Sequence, residues 1–130
     1  MARVALDADV VIAFLDAADD QHERAVSALR PHLSAGDELV LSASVYAEVM
    51  VRPLERGSAG KVDEFLDAIS ATVVAIDRST ARLAAALRMR HRALRLPDAL
   101  SLAAAIAARA DLLTLDQRLA QVAAQEAAAP

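Results

Sequence analysis

The chain has 130 residues, enough for one hydrophobic core, and its lack of cysteine excludes disulfides and thiolate zinc sites. A formal net charge of -4 argues against a protein that coats nucleic acid by bulk attraction. Acids interrupt the apolar N-terminal stretch, and the longest uncharged apolar run, 99–108, is too short to span a bilayer, so we expect a cytoplasmic protein without a membrane partner.

Four short apolar runs predict β-strands, and they alternate with helical stretches along the chain. The first strand precedes a helix that Asp7 or Asp9 caps, and the second precedes a helix that Ser42 or Ser44 caps. Pro97 opens a later helix at its first position. The predicted strands are 3–6, 38–42, 72–76 and 111–115, the predicted helices are 7–17, 21–33, 43–52, 62–70, 78–92, one from Pro97 and one after Gln121, and the glycine-containing segment 53–60 is a predicted loop.

The predicted strands are apolar throughout and do not alternate with polar residues. Strands of that kind, separated by helices, are typical of a parallel sheet that is buried on both faces. We therefore predict an α/β fold with a mostly parallel central sheet of four or five strands covered by helices on both faces. No change in composition divides the chain, so we expect one domain over residues 1–130.

Four acids fall where the predicted strands and helices meet. Asp7 ends the first strand and Asp116 ends the fourth. Glu48 lies early in the helix after the second strand, and Asp98 lies in the first turn of the helix that precedes the fourth. Because ligands bind at the carboxyl edge of an open parallel sheet, these side chains can converge on one crevice.

Each acid also has an ordinary structural explanation. Asp7 and Asp9 are good helix caps, and Asp98 after Pro97 is a favourable partner for a helix dipole. Glu48 stands four residues before Arg52, at the spacing of a helical ion pair. Asp116 is suited to an Asx-turn. None of these explanations accounts for all four acids lying on the same predicted edge.

A cluster of carboxylates must be compensated by protons or a cation. Two carboxylates about 5 Å apart repel by roughly 3 kcal/mol at an effective dielectric constant of about 20. Mg²⁺ or Mn²⁺ fits, since both are hard ions that prefer oxygen ligands. The histidines, His22, His32 and His91, lie in predicted helices away from this edge, so zinc has few ligands. Divalent ions held by carboxylates are typical of metal-dependent nucleases.

Four segments in order resemble the motifs of PIN domains and, within that group, of VapC-type toxin ribonucleases. They are VALDADVVIAFL, LSASVYAEVM, LPDALSLAAAIA and LLTLDQRL, and together they extend over essentially the whole chain. The resemblance implies a three-layer α/β/α sandwich. It also implies that Asp7, Glu48, Asp98 and Asp116 are the catalytic acids that hold Mg²⁺ or Mn²⁺, with Thr114 as a hydrogen-bonding support.

Asp9 departs from the family pattern, because many members carry Asn or Ser two residues after the first acid. Its role as a fifth ligand or as a cap stays open at this point. The reaction that the resemblance implies is endonucleolytic cleavage of RNA by a metal-activated water. The partners that it implies are RNA, a cognate VapB-type antitoxin whose tail covers the site, and a second copy of the chain in a homodimer.

The segment 78–95 contains six arginines and no acid. It is therefore a candidate for holding the RNA backbone beside an acidic pocket that repels phosphate. Within this segment we single out Arg88, Arg92 and Arg95. A solvated helix face explains the same pattern equally well.

Three other functions fit part of the sequence. The opening VALDADVV also resembles haloacid-dehalogenase-like phosphatases, in which Asp7 would be the nucleophile and Asp9 a general acid. That class needs a lysine near the phosphate, and Lys61 is the only lysine in the chain. A receiver-like module would use Asp77 as its phosphoacceptor but lacks a lysine after a late strand. A fold kept only to bind RNA or an antitoxin would not need the full acidic set.

Overall fold

The structure is a computed structural model that describes residues 2–129. Four strands and seven helices follow one another in the described chain. In chain order they are β1 (Arg3–Leu6), α1 (Ala8–Leu15), α2 (His22–Ala35), β2 (Glu38–Ser42), α3 (Ala43–Arg56), α4 (Ala59–Ala68), β3 (Thr72–Val74), α5 (Arg78–Arg90), α6 (Leu96–Ala107), β4 (Asp111–Leu113) and α7 (Gln117–Ala128).

The strands form one parallel sheet in the order β3-β2-β1-β4. Residues 3–5 of β1 pair with residues 38–40 of β2, and residues 4–6 pair with residues 111–113 of β4. The chain moves from β1 to β2 and β3 on one side and returns to β4 on the other. A crevice for ligands forms beyond the carboxyl ends of the strands at such a reversal. The predicted parallel α/β fold is confirmed.

Successive side chains along a strand point to opposite faces of the sheet, and each face is covered by a layer of helices. Val4 and Leu6 of β1 pack into a core built with α1, α2, α3 and α4. Ala5 of β1 and Val40 of β2 face the other way and pack on Ala105 of α6. The small side chains on that face let α6 approach the sheet closely, while α5 and α7 pack against α6 in the same layer. This arrangement is the predicted three-layer sandwich.

Helix caps fix the chain at the carboxyl edge of the sheet. Asp7 caps α1 and Ser42 caps α3, each through a side-chain oxygen that accepts a backbone N–H. Asp77 caps α5 and Asp116 caps α7 in the same way. The strand ends and the first turns of the helices are therefore held in fixed positions.

Helix α3 extends further than predicted. It continues through Pro53 to Arg56, so the predicted loop 53–60 is reduced to the two residues Gly57 and Ser58. Proline removes one helical hydrogen bond, but the buried inner face of α3 favours continuation of the helix. Gly57 then ends the helix in the left-handed conformation with φ 74°, which glycine adopts without strain.

Other boundaries also differ from the prediction. The third and fourth strands end two residues earlier than predicted, at Val74 and Leu113, because the chain leaves the ladder before the apolar run ends. The last helix begins at Gln117, ahead of the predicted start after Gln121. In residues 2–129 no helix has the length and apolar character needed to cross a membrane.

Candidate active site

The candidate site lies at the carboxyl edge of the sheet, beside the reversal between β1 and β4. Asp7 directly follows β1, and Thr114 and Asp116 follow β4. Glu48 is in the second turn of α3, and Asp98 is in the first turn of α6. Each of these elements is anchored in the core, so the backbone of the site is set by the packing of the sheet and its helices.

Asp7 is the buried centre of the site, with 8% of its surface exposed. Its Oδ1 accepts hydrogen bonds from the backbone N–H of Ala8 at 2.9 Å and from the hydroxyl of Ser101 at 3.2 Å. Its Oδ2 accepts one from the hydroxyl of Thr114 at 2.8 Å. Because a carboxylate oxygen accepts two hydrogen bonds in its plane, the remaining acceptor position of Asp7 is on Oδ2.

Ser101 was missed in the sequence analysis. It is 3% exposed and lies in α6 one turn after Asp98, so the same helix carries an acid and a donor to Asp7. The available signal was its polarity, because Ser101 is the one polar residue in the apolar run 99–108. A buried hydroxyl needs a partner, and only the fold shows that the partner is Asp7.

Glu48 and Asp98 face Asp7 from two other elements. Partial burial and the charges of Asp7 and Asp98 raise the pKa of Glu48, while Arg95 opposes that effect. The alternative pairing of Glu48 with Arg52 is not formed, since no ion pair joins them within 4.0 Å. Asp98 instead accepts a hydrogen bond from Nε of the exposed Arg95 at 3.4 Å. The charges of two carboxylates, Asp7 and Asp98, thus act on a third, that of Glu48, from separate elements.

Asp9 ties α1 to the loop after β4. Its Oδ2 accepts hydrogen bonds from the backbone N–H of Leu115 at 3.0 Å and from the hydroxyl of Thr114 at 3.2 Å. Its Oδ1 is buried and has no hydrogen-bond partner. Burial and, secondly, the charge of Asp7 raise the pKa of Asp9 to about 6. Asp9 is therefore not the cap of α1 but a link to the loop that carries Asp116.

The loop after β4 is held from both sides at Leu115. Its backbone N–H donates to Asp9, and its carbonyl accepts a hydrogen bond of 3.1 Å from Nη2 of Arg24 in α2. Thr114 accepts a hydrogen bond from the backbone N–H of Asp116 at 3.1 Å. This link through Arg24 was also missed in the sequence analysis, because an exposed arginine in a helix gives no signal of its own.

The side chain of Asp116 is exposed and turned toward α7. Its Oδ1 accepts hydrogen bonds from the backbone N–H groups of Arg118 at 2.9 Å and Leu119 at 3.2 Å. Within residues 2–129, no three acidic or histidine side chains stand close enough to enclose an ion in this arrangement. Asp7 and Asp98 lie near enough for their charges to act on Glu48, whereas Asp116 reaches the site only through the hydrogen bond of its backbone to Thr114.

The donor set is suited to a hard divalent cation. It consists of carboxylate oxygens, one of them a buried oxygen of Asp9 without a partner, and it contains no sulfur or imidazole nitrogen. Burial and, secondly, the like charges of neighbouring acids raise the pKa values of Asp9 and Glu48, so added positive charge would stabilise their ionised forms. Hard divalent cations prefer oxygen ligands of this kind.

The three predicted RNA-contacting arginines occupy different positions. Arg95 is at the rim of the acidic cluster, where its side chain is 78% exposed and contacts Asp98. Arg88 and Arg92 are exposed and belong to none of the ion pairs found between residues 2 and 129. Their neighbour Arg90 forms an ion pair with Glu126, with 2.8 Å between Nη2 and Oε1. Of the three, Arg95 is therefore the one in contact with the acidic cluster.

Comparisons with known proteins agree with this architecture. The family model described as PIN domain matches residues 4–125. No curated protein matches the chain in sequence. A toxin–antitoxin complex from Klebsiella pneumoniae contains a similar chain, with 24% identity, a TM-score of 0.69 and coverage of 88% of both chains.

Two further solved structures are similar. The first is VapC20 of Mycobacterium tuberculosis, described as a sarcin-ricin loop cleaving toxin, with 18% identity, a TM-score of 0.71 and coverage of 91% of this chain and 93% of that one. The second is VapBC2 of Rickettsia felis bound to a DNA fragment from its promoter, with 15% identity, a TM-score of 0.67 and coverage of 92% of both chains. At these identities the likeness establishes the fold.

Proposed function

The chain belongs to the PIN domain family, and from that premise we propose that it is a Mg²⁺- or Mn²⁺-dependent endoribonuclease of the VapC type, the toxin of a toxin–antitoxin pair. The observation that carries the proposal is the placement of Asp7, Glu48 and Asp98, from three separate elements, at one edge of the sheet, where the charges of Asp7 and Asp98 act on Glu48. The description of VapC20 as a toxin that cleaves the sarcin-ricin loop supports RNA as the substrate class.

The proposed roles follow from the contacts of each acid. Asp7 is the fixed ligand and offers one acceptor position on Oδ2, because Ser101 and Ala8 occupy Oδ1. Asp98 and Glu48 complete the inner set, and Asp116 joins it when its side chain leaves the cap of α7. When bound, a divalent cation supplies the positive charge that neutralises the acids and polarises a phosphodiester.

Glu48 is the residue best suited to accept a proton. Its exposed position on α3 allows water to reach its carboxylate oxygens. We propose that the Glu48 carboxylate accepts a proton from the water that attacks the phosphodiester in line with the leaving oxygen. Thr114 and Ser101 orient Asp7 and take no part in proton transfer.

Arg95 is the proposed contact for the phosphate at the reacting centre. Its guanidinium lies next to Asp98 and is largely exposed, so it can turn from that carboxylate to a phosphate oxygen. Arg88 and Arg92 precede Arg95 in the same segment and are the proposed contacts for flanking phosphates.

The similar complexes of Klebsiella pneumoniae and Rickettsia felis support a protein partner for this chain. We propose that this partner is a small VapB-type antitoxin that covers the acidic site. We also propose that the chain forms a homodimer.

The receiver-like alternative loses its structural basis. Asp77 is the cap of α5 next to the edge strand β3, and its Oδ1 accepts the backbone N–H of Thr80 at 2.8 Å. It is therefore a structural residue rather than a phosphoacceptor.

One assay tests the proposal. The protein is incubated with a structured RNA and Mg²⁺ or Mn²⁺, with and without chelator, beside Asp98→Asn. We expect cleavage by the wild type that chelator abolishes and that Asp98→Asn reduces by at least about 100-fold. Asp77→Asn is the matched control, since asparagine also caps a helix and the same charge is removed away from the site. Cleavage that persists in chelator, or in Asp98→Asn at the wild-type rate, would refute the proposal.

A further inference from the structure

A groove of about 400 Å³ runs from Glu48 along the outer side of the helical layer formed by α1, α3 and α4. Apolar side chains of α1, Ile12 and Leu15, form one wall. The other wall, from α3 and α4, carries the basic side chains of Arg52, Arg56 and Lys61 beside apolar ones of Val49, Pro53 and Val62. The groove therefore begins at a residue of the acidic site and continues between an apolar and a cationic wall.

The two arginines are aligned with Glu48 on α3. Residues 48, 52 and 56 are spaced by four, so they lie on one face of the helix in successive steps of about 6 Å along its axis. That step is comparable to the separation of successive phosphates along a nucleic acid strand. A strand that leaves the acidic site along this face meets one cation per nucleotide.

These cations have no partners of their own. No carboxylate lies within 4.0 Å of Arg52, Arg56 or Lys61 in the part of the chain that the structure describes. The other acid of the groove, Asp16, accepts the backbone N–H of Ala18 at 3.0 Å. By contrast, Arg90 and Arg95 are already paired with carboxylates. Adjacent unpaired cations repel one another and are stabilised by a polyanion.

We propose that Arg52 and Arg56, extended by Lys61, form the path of the RNA backbone as the strand leaves the acidic site. This inference rests on the proposed nuclease function and names the surface that binds the substrate. The apolar wall is then available for ribose and base faces. Since the three aromatic residues, Phe14, Tyr46 and Phe65, do not line this groove, the path holds phosphates without a stacking platform.

The path is tested by the salt dependence of RNA binding. The Asp98→Asn protein binds a fluorescein-labelled structured RNA in an anisotropy titration at several salt concentrations. Adding Arg52→Gln and Arg56→Gln should weaken RNA binding by at least about 10-fold near physiological salt. The two substitutions should also reduce the slope of log K against log salt by about 1.4, which is about 0.7 for each lost phosphate contact. Lys61→Gln alone should reduce the slope by about 0.7.

The matched control is Arg30→Gln with Arg109→Gln in the same background. It removes the same charge from exposed positions toward the opposite edge of the sheet, so bulk attraction changes equally. Urea unfolding verifies that each variant is folded. A third variant, Arg88→Gln with Arg92→Gln, measures how much the arginine-rich segment 78–95 contributes to RNA binding.

Equal affinity and slope for the α3 variant and the control would overturn the inference. A loss of RNA affinity that occurs only in the variant with Arg88→Gln and Arg92→Gln would also overturn it. Either result would leave the groove to a protein partner, whose segment the apolar wall also suits. Cleavage of the same RNA by the protein with Asp98 intact is measured separately, so failure of the path is distinguished from failure of the nuclease function.

Discussion

The hydroxyl group of Ser101 donates a hydrogen bond of 3.2 Å to Oδ1 of Asp7, 94 residues away along the chain. Both residues are buried, so the bond is protected from competition with water. Together with the bond from Thr114 to Oδ2, it fixes the plane of the Asp7 carboxylate. Asp7 is therefore oriented before any cation binds.

Ser101→Ala is expected to weaken metal binding. Loss of the buried donor should lower the free energy of unfolding by about 1 to 2 kcal/mol, and the freed rotation of Asp7 should raise the Kd for Mn²⁺ several-fold. Urea unfolding and calorimetric titration with Mn²⁺ measure the two effects. Ser34→Ala, at an exposed position of α2, is the control. An unchanged Kd for Mn²⁺ would show that Ser101 does not position Asp7.

Arg24→Gln is expected to loosen the loop that carries Asp116. The carbonyl of Leu115 loses its bond from the guanidinium, while the bond from its N–H to Asp9 remains. Because Arg24 is exposed, stability should fall by less than about 1 kcal/mol, while amide hydrogen exchange at Leu115 and Asp116 should accelerate. Arg30→Gln on the same helix is the comparison. Unchanged exchange at these two amides would contradict the role given to Arg24.

Asp9→Asn should keep the loop in place and retain metal-dependent cleavage within about three-fold. An asparagine oxygen still accepts the N–H of Leu115, and the substitution removes a buried charge beside Asp7. The metal-free variant should therefore be more stable than the wild type at neutral pH in urea unfolding. A loss of Mn²⁺ affinity as large as that of Asp98→Asn would instead identify Asp9 as a ligand.

Divalent cations should raise the melting temperature of the wild type. Binding to the folded state alone contributes about 2.7 kcal/mol at a concentration of 100 times Kd, which is a shift of several degrees for a chain of this size. Glu48→Gln and Asp98→Asn should reduce the shift, and Asp111→Asn at the opposite edge of the sheet should not. No shift in the wild type at millimolar Mg²⁺ or Mn²⁺ would count against a metal centre.

The C-terminal helix should confer a dependence of stability on acid pH. Hydrogen bonds from Arg90 and His91 lower the pKa of Glu126 below its ordinary 4.5. A depressed folded-state pKa stabilises the protein above the unfolded pKa, and this contribution is lost as the pH falls through 4.5 toward the folded value.

Glu126→Gln should therefore cost a few tenths to about 1 kcal/mol at pH 7, and the difference from the wild type should shrink below about pH 4. Thermal unfolding across this pH range measures it, with the exposed Glu64→Gln as the control. A difference that stays constant between pH 7 and pH 3 would show that the ionised form of Glu126 is not what stabilises α7.

Local patterns in the sequence determined the elements and the side of the sheet on which the acids lie. Strands 3–6 and 38–42 were predicted with the observed bounds because apolar runs and capping residues are local signals. The same signals placed Asp7, Glu48 and Asp98 at the carboxyl edge, since parallel strands share one direction. The continuation of α3 through Pro53 escaped prediction, because burial of its inner face outweighed a local breaker.

Only the tertiary structure decided which side chains meet. Ser101 donates to Asp7, and Arg24 and Asp9 hydrogen-bond to the backbone of Leu115. Asp116 caps α7. All these contacts join atoms whose positions depend on how the layers pack. Hydrogen bonds act over about 3 Å, whereas the periodicity of a sequence specifies only the face of an element. The sequence therefore determined which residues could share the edge, and packing decided which of them touch.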